Sequence, residues 1–284
     1  MGLLLVNKNQ DYSGNPSAER FQYDALATEG TLLCYDFARQ SMAPVGLKKG
    51  GMVRDLGRNG NSLNNDTTFK VTSIANEGLD FLTDGTFLLR NTSAGANEAT
   101  GIDLGTKIQQ YLKDNNVKKA LFIVWIKTEA SGFNAGAVIQ STTSEAIGNN
   151  HVIRLSLQST GNIVITLAGA PTGNISPSDA SGKHRQIAVA YEFGKPLTVY
   201  KSTVLHSYSA NNAGAWGIPN SSFIIGQNSG SDGNLTTATI GRVILEDLDR
   251  SGRTSLDVIK EDYDYVNGIG KYAGKNTKRP YADL

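Results

Sequence analysis

LFIVWIK, from Leu121 to Lys127, is apolar at every position up to Ile126. A strand with one face in water alternates apolar and polar residues, so an unbroken apolar run is expected where both faces are covered. The stretch predicts the central strand of the core, with Trp125 buried in it. Downstream, Ile153, Leu155 and Leu157 alternate with Arg154 and Ser156, and after the turn STGN the pattern returns at Ile163, Ile165 and Leu167. That is the pattern of an antiparallel hairpin. A second pair follows: Ile187, Val189 and Tyr191 alternate, Gly194 to Pro196 turns the chain, and Leu197 to Leu205 reads as the returning strand. Short strands separated by Gly, Asn and Ser predict an all-β, antiparallel jelly-roll sandwich rather than a parallel sheet with crossover helices.

Upstream of the central strand, Thr31 to Phe37, Phe69 to Ile74, Leu79 to Leu82 and Thr86 to Leu89 are strand-like, and Leu104, Ile108, Tyr111 and Leu112 fall on one helical face. A second helix is expected after Thr254, an N-cap with Asp257 three residues on. Its predicted apolar face is Leu256, Ile259, Tyr263 and Val266, and its stop is Gly268. The helices should be short and peripheral. The expected organisation is an N-terminal arm or docking strap over 1–30, a sandwich over 31–268 and a C-terminal tail over 269–284. The arm is assigned because its apolar pieces are interrupted by turn-rich ones such as YSGNPSAE.

At 284 residues, a single sandwich with an extra arm suffices. Hydrophobic residues make up 39% of the chain, enough for a core, and 31 glycines against 7 prolines suit many tight turns. Lys and Arg number 27 against 26 Asp and Glu, a formal charge of +1, which removes the electrostatic argument for nucleic acid or an anionic membrane. Cys34 is the sole cysteine, so no intrachain disulfide forms, and its apolar neighbours predict a small buried hydrophobe. No signal peptide or membrane-length apolar run is evident. A product made in a host cytoplasm is expected.

With these elements in place, the chain resembles the concanavalin A-like lectin/glucanase superfamily, in particular its laminin-G-like and pentraxin-like branch. VWIK at Val124 to Lys127, KHRQIAVAYE at Lys183 to Glu192, LTVYKSTVL at Leu197 to Leu205, FIIGQ at Phe223 to Gln227 and IGRVILEDLDRSGRTSLDVI at Ile240 to Ile259 follow that branch's motif order. Two slots depart from it. Lys183 replaces the usual tryptophan before His184, and Lys201 with Ser202 replaces the usual Asp and Gly after Tyr200. Sandwiches of this kind are frequent in bacteriophage virion proteins. The resemblance therefore implies a non-enzymatic structural or adhesion module of a phage particle (tail, baseplate or head surface), localised to the virion and assembled as a homo-oligomer. Its expected partners are other virion proteins and cell-surface glycan. A free-standing carbohydrate-binding lectin is the alternative, and a glycan hydrolase the third.

The residues offer little apparatus for catalysis. Glucanases of the superfamily carry E-x-D-x-x-E on a strand, whereas Glu246, Asp247 and Asp249 lack that spacing, and these acids are expected to cap or meet Arg250 and Arg253. His151, His184 and His206 lie near strand ends with no G-x-S-x-G elbow. For ligand binding the candidates are Trp216, in the small-residue loop NNAGAWGIPNSS, with Asn228, Asp232 and Asn234 nearby. The ring of Trp216 would stack on a sugar if exposed, or plug the sheet rim if buried. No cofactor is required. Calcium would suit the oxygen-rich loops Asn64, Asn65, Asp66 and Asn228, Ser229, Ser231, Asp232, Asn234, although Asn and Asp also favour turns for backbone reasons.

Overall fold

Two antiparallel layers account for nearly every regular segment in the computed structural model. It describes residues 24–38, 52–54, 56–57, 68–71, 79–81, 87–89, 100–128, 136–142, 151–158, 160, 162–176, 182–227, 238–275 and 277–283. The central strand β7 (Lys119–Thr128) is buried along LFIVWI as its apolar run requires. It pairs on one side with β12 (Arg185–Glu192) and on the other with β16 (Ala238–Asp247). From β12 this sheet continues through β13 (Pro196–Lys201) to β14 (Val204–Asn212) at its edge. From β16 it continues through β5 (Phe87–Leu89) to β4 (Leu79–Phe81), while β1 (Thr31–Asp36) takes the rest of the same β16 edge. The second sheet runs β11 (Ala170–Pro171), β10 (Ile163–Leu167), β9 (His151–Leu157), β8 (Gly136–Thr142), β15 (Ile224–Gln227), β6 (Thr100–Asp103), β3 (Thr68–Val71), β2 (Met52–Arg54). This is the expected all-β sandwich. The β9–β10 hairpin sets Ile163 opposite Leu157 and Ile165 opposite Leu155, as their alternation predicts.

Among the described residues three α-helices lie outside the sheets, α1 (Lys107–Asp114), α2 (Leu248–Ser251) and α3 (Ser255–Asn267), with a 3-10 turn at Gly270–Tyr272. Among the described residues none is long and apolar enough to cross a membrane. The cap of α3 is as predicted: the Thr254 hydroxyl accepts from the Asp257 N–H, and Gly268 ends the helix in the left-handed region at φ 66°. Of its predicted face, Ile259 and Val266 are buried and Tyr263 packs against the core with its ring 5.8 Å from that of Trp125, while Leu256 is exposed. Val258, Tyr265 and the carboxylate of Asp262 also turn inward, and an apolar pattern cannot foresee the last of these.

The predicted strand from Leu197 to Leu205 is in fact two. Ser202 and Thr203, both at positive φ (43° and 75°), form a two-residue turn between β13 and β14. Two successive left-handed residues match the right-handed twist of a hairpin. The turn overlaps, at Ser202, the slot of Lys201 and Ser202 where the resembled family carries Asp and Gly.

Buried charge ties the periphery to the sandwich. Arg242, opposite Trp125 in the β7–β16 ladder, is fully buried. Its Nη1 and Nη2 donate to the two carboxylate oxygens of Asp24 at 2.8 and 2.9 Å, and its Nε donates to Asp262 at 2.7 Å. Asp36 lies 3.3 Å from Nη1 and also receives Arg279 Nε at 2.8 Å and the Tyr281 hydroxyl at 2.8 Å. The second oxygen of Asp262 accepts from the Trp125 indole and from Gln186, each at 2.8 Å. Burial works against the charge of Arg242, but Asp24 and its neighbours outweigh that and hold the guanidinium protonated well above its ordinary range.

Residues 24–30 and 277–283 are therefore parts of the folded unit rather than a strap and a tail. Asp24 and Leu26 are buried, the Leu56 carbonyl accepts from the Asp24 N–H, and Tyr281 is 3% exposed. Gly241 makes room for Tyr281: a Cβ there would lie 2.5 Å from its ring. Residues 1–23 of the predicted arm lie outside the described residues. Cys34 is buried in β1, as expected of a small hydrophobe.

Candidate functional site

Where β7 ends and β12 begins, the C-terminal segment crosses the sheet and leaves an open cleft of about 410 Å³. Lys127 comes from the end of β7, Gly182, Lys183 and His184 from the approach to β12, and Pro280 to Asp283 from the terminal segment. The Asp283 side chain, 1% exposed, is held by Arg185 Nη1 at 3.1 Å and the Ser202 hydroxyl at 3.1 Å. Its backbone N–H donates to Asn267 on α3. The Tyr263 hydroxyl, also on α3, is pushed up to about 12, first by burial and then by the Asp283 carboxylate. His184 is buried with its ring 5.8 Å from that of Tyr281.

These contacts tie the terminal wall to β12 and α3. Two lysines line the cleft, and among the described lining residues the one carboxylate, Asp283, is paired with Arg185. Such a site suits a ligand with anionic and hydroxyl groups, because the lysine ammoniums supply donors. Lys183 was legible beforehand as a departure from the family pattern: the smaller foot of a lysine stands where a bulky indole would be. The terminal residues were not, because they fall in the segment expected to be a C-terminal tail.

Trp216 is a correction. It is 4% exposed, its indole N–H donates to the Val117 carbonyl at 3.0 Å, and its ring lies 4.4 Å from that of Tyr191. The Tyr191 hydroxyl in turn donates to the Gly214 carbonyl at 2.7 Å, and burial, with Asp249 second, pushes that hydroxyl well up. The pair plugs the end of the sandwich, so the ring offers no platform for a sugar. Small neighbours made the loop look open. They instead let it fold flat against the rim. Asn228, Asp232 and Asn234, and the calcium candidates Asn64, Asn65 and Asp66, lie outside the described residues. Among the described residues no cluster of three His, Cys, Asp or Glu could hold a metal ion.

The acidic end of β16 is committed to architecture. One oxygen of Asp247 accepts from the Arg250 N–H and caps α2, and the other accepts from the Tyr111 hydroxyl at 3.0 Å. Asp249 receives the backbone N–H groups of Lys118 and Lys119 at 2.7 and 2.9 Å. Glu246 is paired with Arg253. These are the capping and pairing roles their sequence positions suggested. Paired glycosidase acids need one proton donor and one free carboxylate facing a common bond, and this group has no such pair to spare.

No protein-family model matches the chain, and no curated protein is significantly similar to it in sequence. Solved structures do match. A Trypanosoma rangeli sialidase in complex with sialic acid superposes with a TM-score of 0.52 at 14% identity, over 84% of this chain and 33% of that one. The botulinum neurotoxin serotype D binding domain gives 0.51 at 13% identity, over 83% and 51%. The binding domain of botulinum neurotoxin DC in complex with rat synaptotagmin II gives 0.50 at 16% identity, over 84% and 52%. The chain thus spans about a third of the sialidase and about half of the toxin domains. These likenesses establish the fold, an all-β sandwich.

Proposed function

We propose that the chain is a non-enzymatic adhesion module whose cleft at Lys127, Lys183 and His184 binds an acidic glycan, and that it serves on a bacteriophage particle beside other virion proteins. The observation that carries the binding role is the cleft itself: two lysines line it, and the one carboxylate among its described residues is paired with Arg185. The sialidase neighbour, in complex with an acidic sugar, is consistent with this chemistry on a related scaffold, although it contributes no residue to the argument. The placement on a particle extends the resemblance in motif order. The structural roles of Asp247 and Asp249 favour binding over hydrolysis.

A glycan array of acidic and neutral sugars tests the reading. Acidic ligands should be retained at low salt, and Lys127→Ala with Lys183→Ala should weaken them about tenfold per lysine, the loss typical of a hydrogen bond to a charged group. Retention of only neutral sugars, unchanged in the double variant, would defeat the cleft. A chelator arm separates the lectin alternative: loss of binding in EDTA would move the site to the calcium-suited loops. Mass spectrometry of purified particles tests the setting.

A further inference from the structure

The kind of acid group that the cleft seats is narrowed by the cations around it, an inference that rests on the glycan reading above. Lys127 stands next to last in β7 and Lys183 two residues before β12. Among the described residues neither ammonium is paired with a carboxylate. The guanidiniums of the neighbouring segments are committed elsewhere, and neither lines the cleft. Arg185 meets Asp283 at 3.1 Å, while Arg279 donates to Asp36 at 2.8 Å, to the Tyr265 hydroxyl at 2.7 Å and to the Thr277 carbonyl at 2.9 Å. Beside Lys183, Gly182 has φ 74° and open space where a Cβ would stand, so a bulky group can approach the backbone there.

The acid groups of glycans differ in shape. A carboxylate holds two oxygens in one plane, which a guanidinium fork matches with two parallel N–H bonds. A sulfate or phosphate ester points three free oxygens in different directions, and an ammonium with three rotatable donors meets one of them as a point charge. Two ammoniums carried by different strand ends can each take a separate oxygen of such a group. We infer that the cleft selects a tetrahedral oxyanion, the sulfate or phosphate ester of a glycan, contacted by both Lys127 and Lys183, over the carboxylate of an acidic sugar.

A glycan array of matched sets tests this, with each core carrying a sulfate ester, a phosphate ester, a carboxylate or a hydroxyl at one position. Sulfate ester and carboxylate both carry a single charge, so their ratio reads shape rather than charge. The full chain should retain the sulfate ester about tenfold better than the carboxylate, the worth of one charge-assisted hydrogen bond. The phosphate arm identifies which ester is preferred. Lys127→Ala and Lys183→Ala should each reduce ester binding and shrink the ratio, with melting unchanged as the check on folding. Lys127→Arg with Lys183→Arg keeps the charge but supplies forks, and should narrow the ratio by raising carboxylate binding. Carboxylates held as well as both esters, or a ratio indifferent to the alanine variants, would overturn the inference while leaving an acidic-glycan site in place. Failure of all three acidic forms to bind would remove that site and the inference together.

Discussion

The two sides of the first sheet are finished in opposite ways. Beyond β16 lie β5 and β4 along part of its edge and, along the rest, β1 with two segments from the ends of the described chain, knitted together by Arg242 and Arg279 with Asp24, Asp36 and Asp262. Beyond β13 lies a single bent strand with one buried residue and no formal charge. Hydrophobic burial alone could have closed the first side, since replacing a buried ion group by well-packed apolar residues often costs nothing in stability. What the ions add is a demand for particular partners. A buried guanidinium with five donors accepts only an arrangement that brings carboxylates to it, and here those come from positions as far apart as Asp24 and Asp262. The chain uses charge where segments distant in sequence must find one register, and leaves it out of the strand that ends the other side.

The largest effect should come from breaking the charged side. Arg242→Met would leave Asp24 and Asp262 without their guanidinium in a fully buried site, costing about 3–5 kcal/mol or more. The variant should be recovered mainly as insoluble protein, whereas Tyr208→Ser on the other side should shift the denaturation midpoint by less than about 0.5 kcal/mol. A comparable loss in both would erase the contrast. Next in size is the boundary. Asp24→Ala leaves Arg242 with Asp36 and Asp262, so the expected loss is smaller, about 2–3 kcal/mol, and deletion of residues 1–30 should cost at least as much. A deletion that melted like the full chain would restore the sequence-based boundary at residue 30.

That boundary shows where reading the sequence stops. Periodicity identified β7, the β9–β10 hairpin and both longer helices, because each buries apolar residues at a fixed local spacing. It left Asp262 out of the inner face of α3 and assigned Asp24, Arg279 and Tyr281 to peripheral segments, because a buried ion pair looks like a solvated charge until its partner is known. The Ser202–Thr203 turn left a trace only as a departure from a familiar motif. Lys183 did the same, and with Lys127 and His184 it lies in a motif that the sequence singled out. Trp216 failed for a related reason: small neighbours mark a loop but do not say whether it folds away from the rim or onto it. The order of strands was written locally, while the site depends on a C-terminal segment reaching back across the sheet to β12.

The smallest predicted effect tests that reach. The Tyr281 hydroxyl is buried and donates to Asp36, and its pKa is pushed well above the ordinary tyrosine value, by burial first and by the Asp36 carboxylate second. Tyr281→Phe removes a hydrogen bond to a charged acceptor, an expected loss of about 1.5–3 kcal/mol at neutral pH. The pH dependence has a definite sign. A raised folded-state pKa means that stability from this group is fully present below the unfolded value of about 10 and declines as pH rises beyond it, since the unfolded chain releases the proton first. Denaturation at a series of pH values should therefore give a constant gap between the wild type and Tyr281→Phe up to about pH 10, narrowing above it. Tyr191 is shifted in the same direction in both proteins and cancels from the difference. A Tyr281 gap that stayed constant through alkaline pH would mean that the terminal segment is not locked against Asp36, and the cleft would lose the wall formed by Pro280 to Asp283.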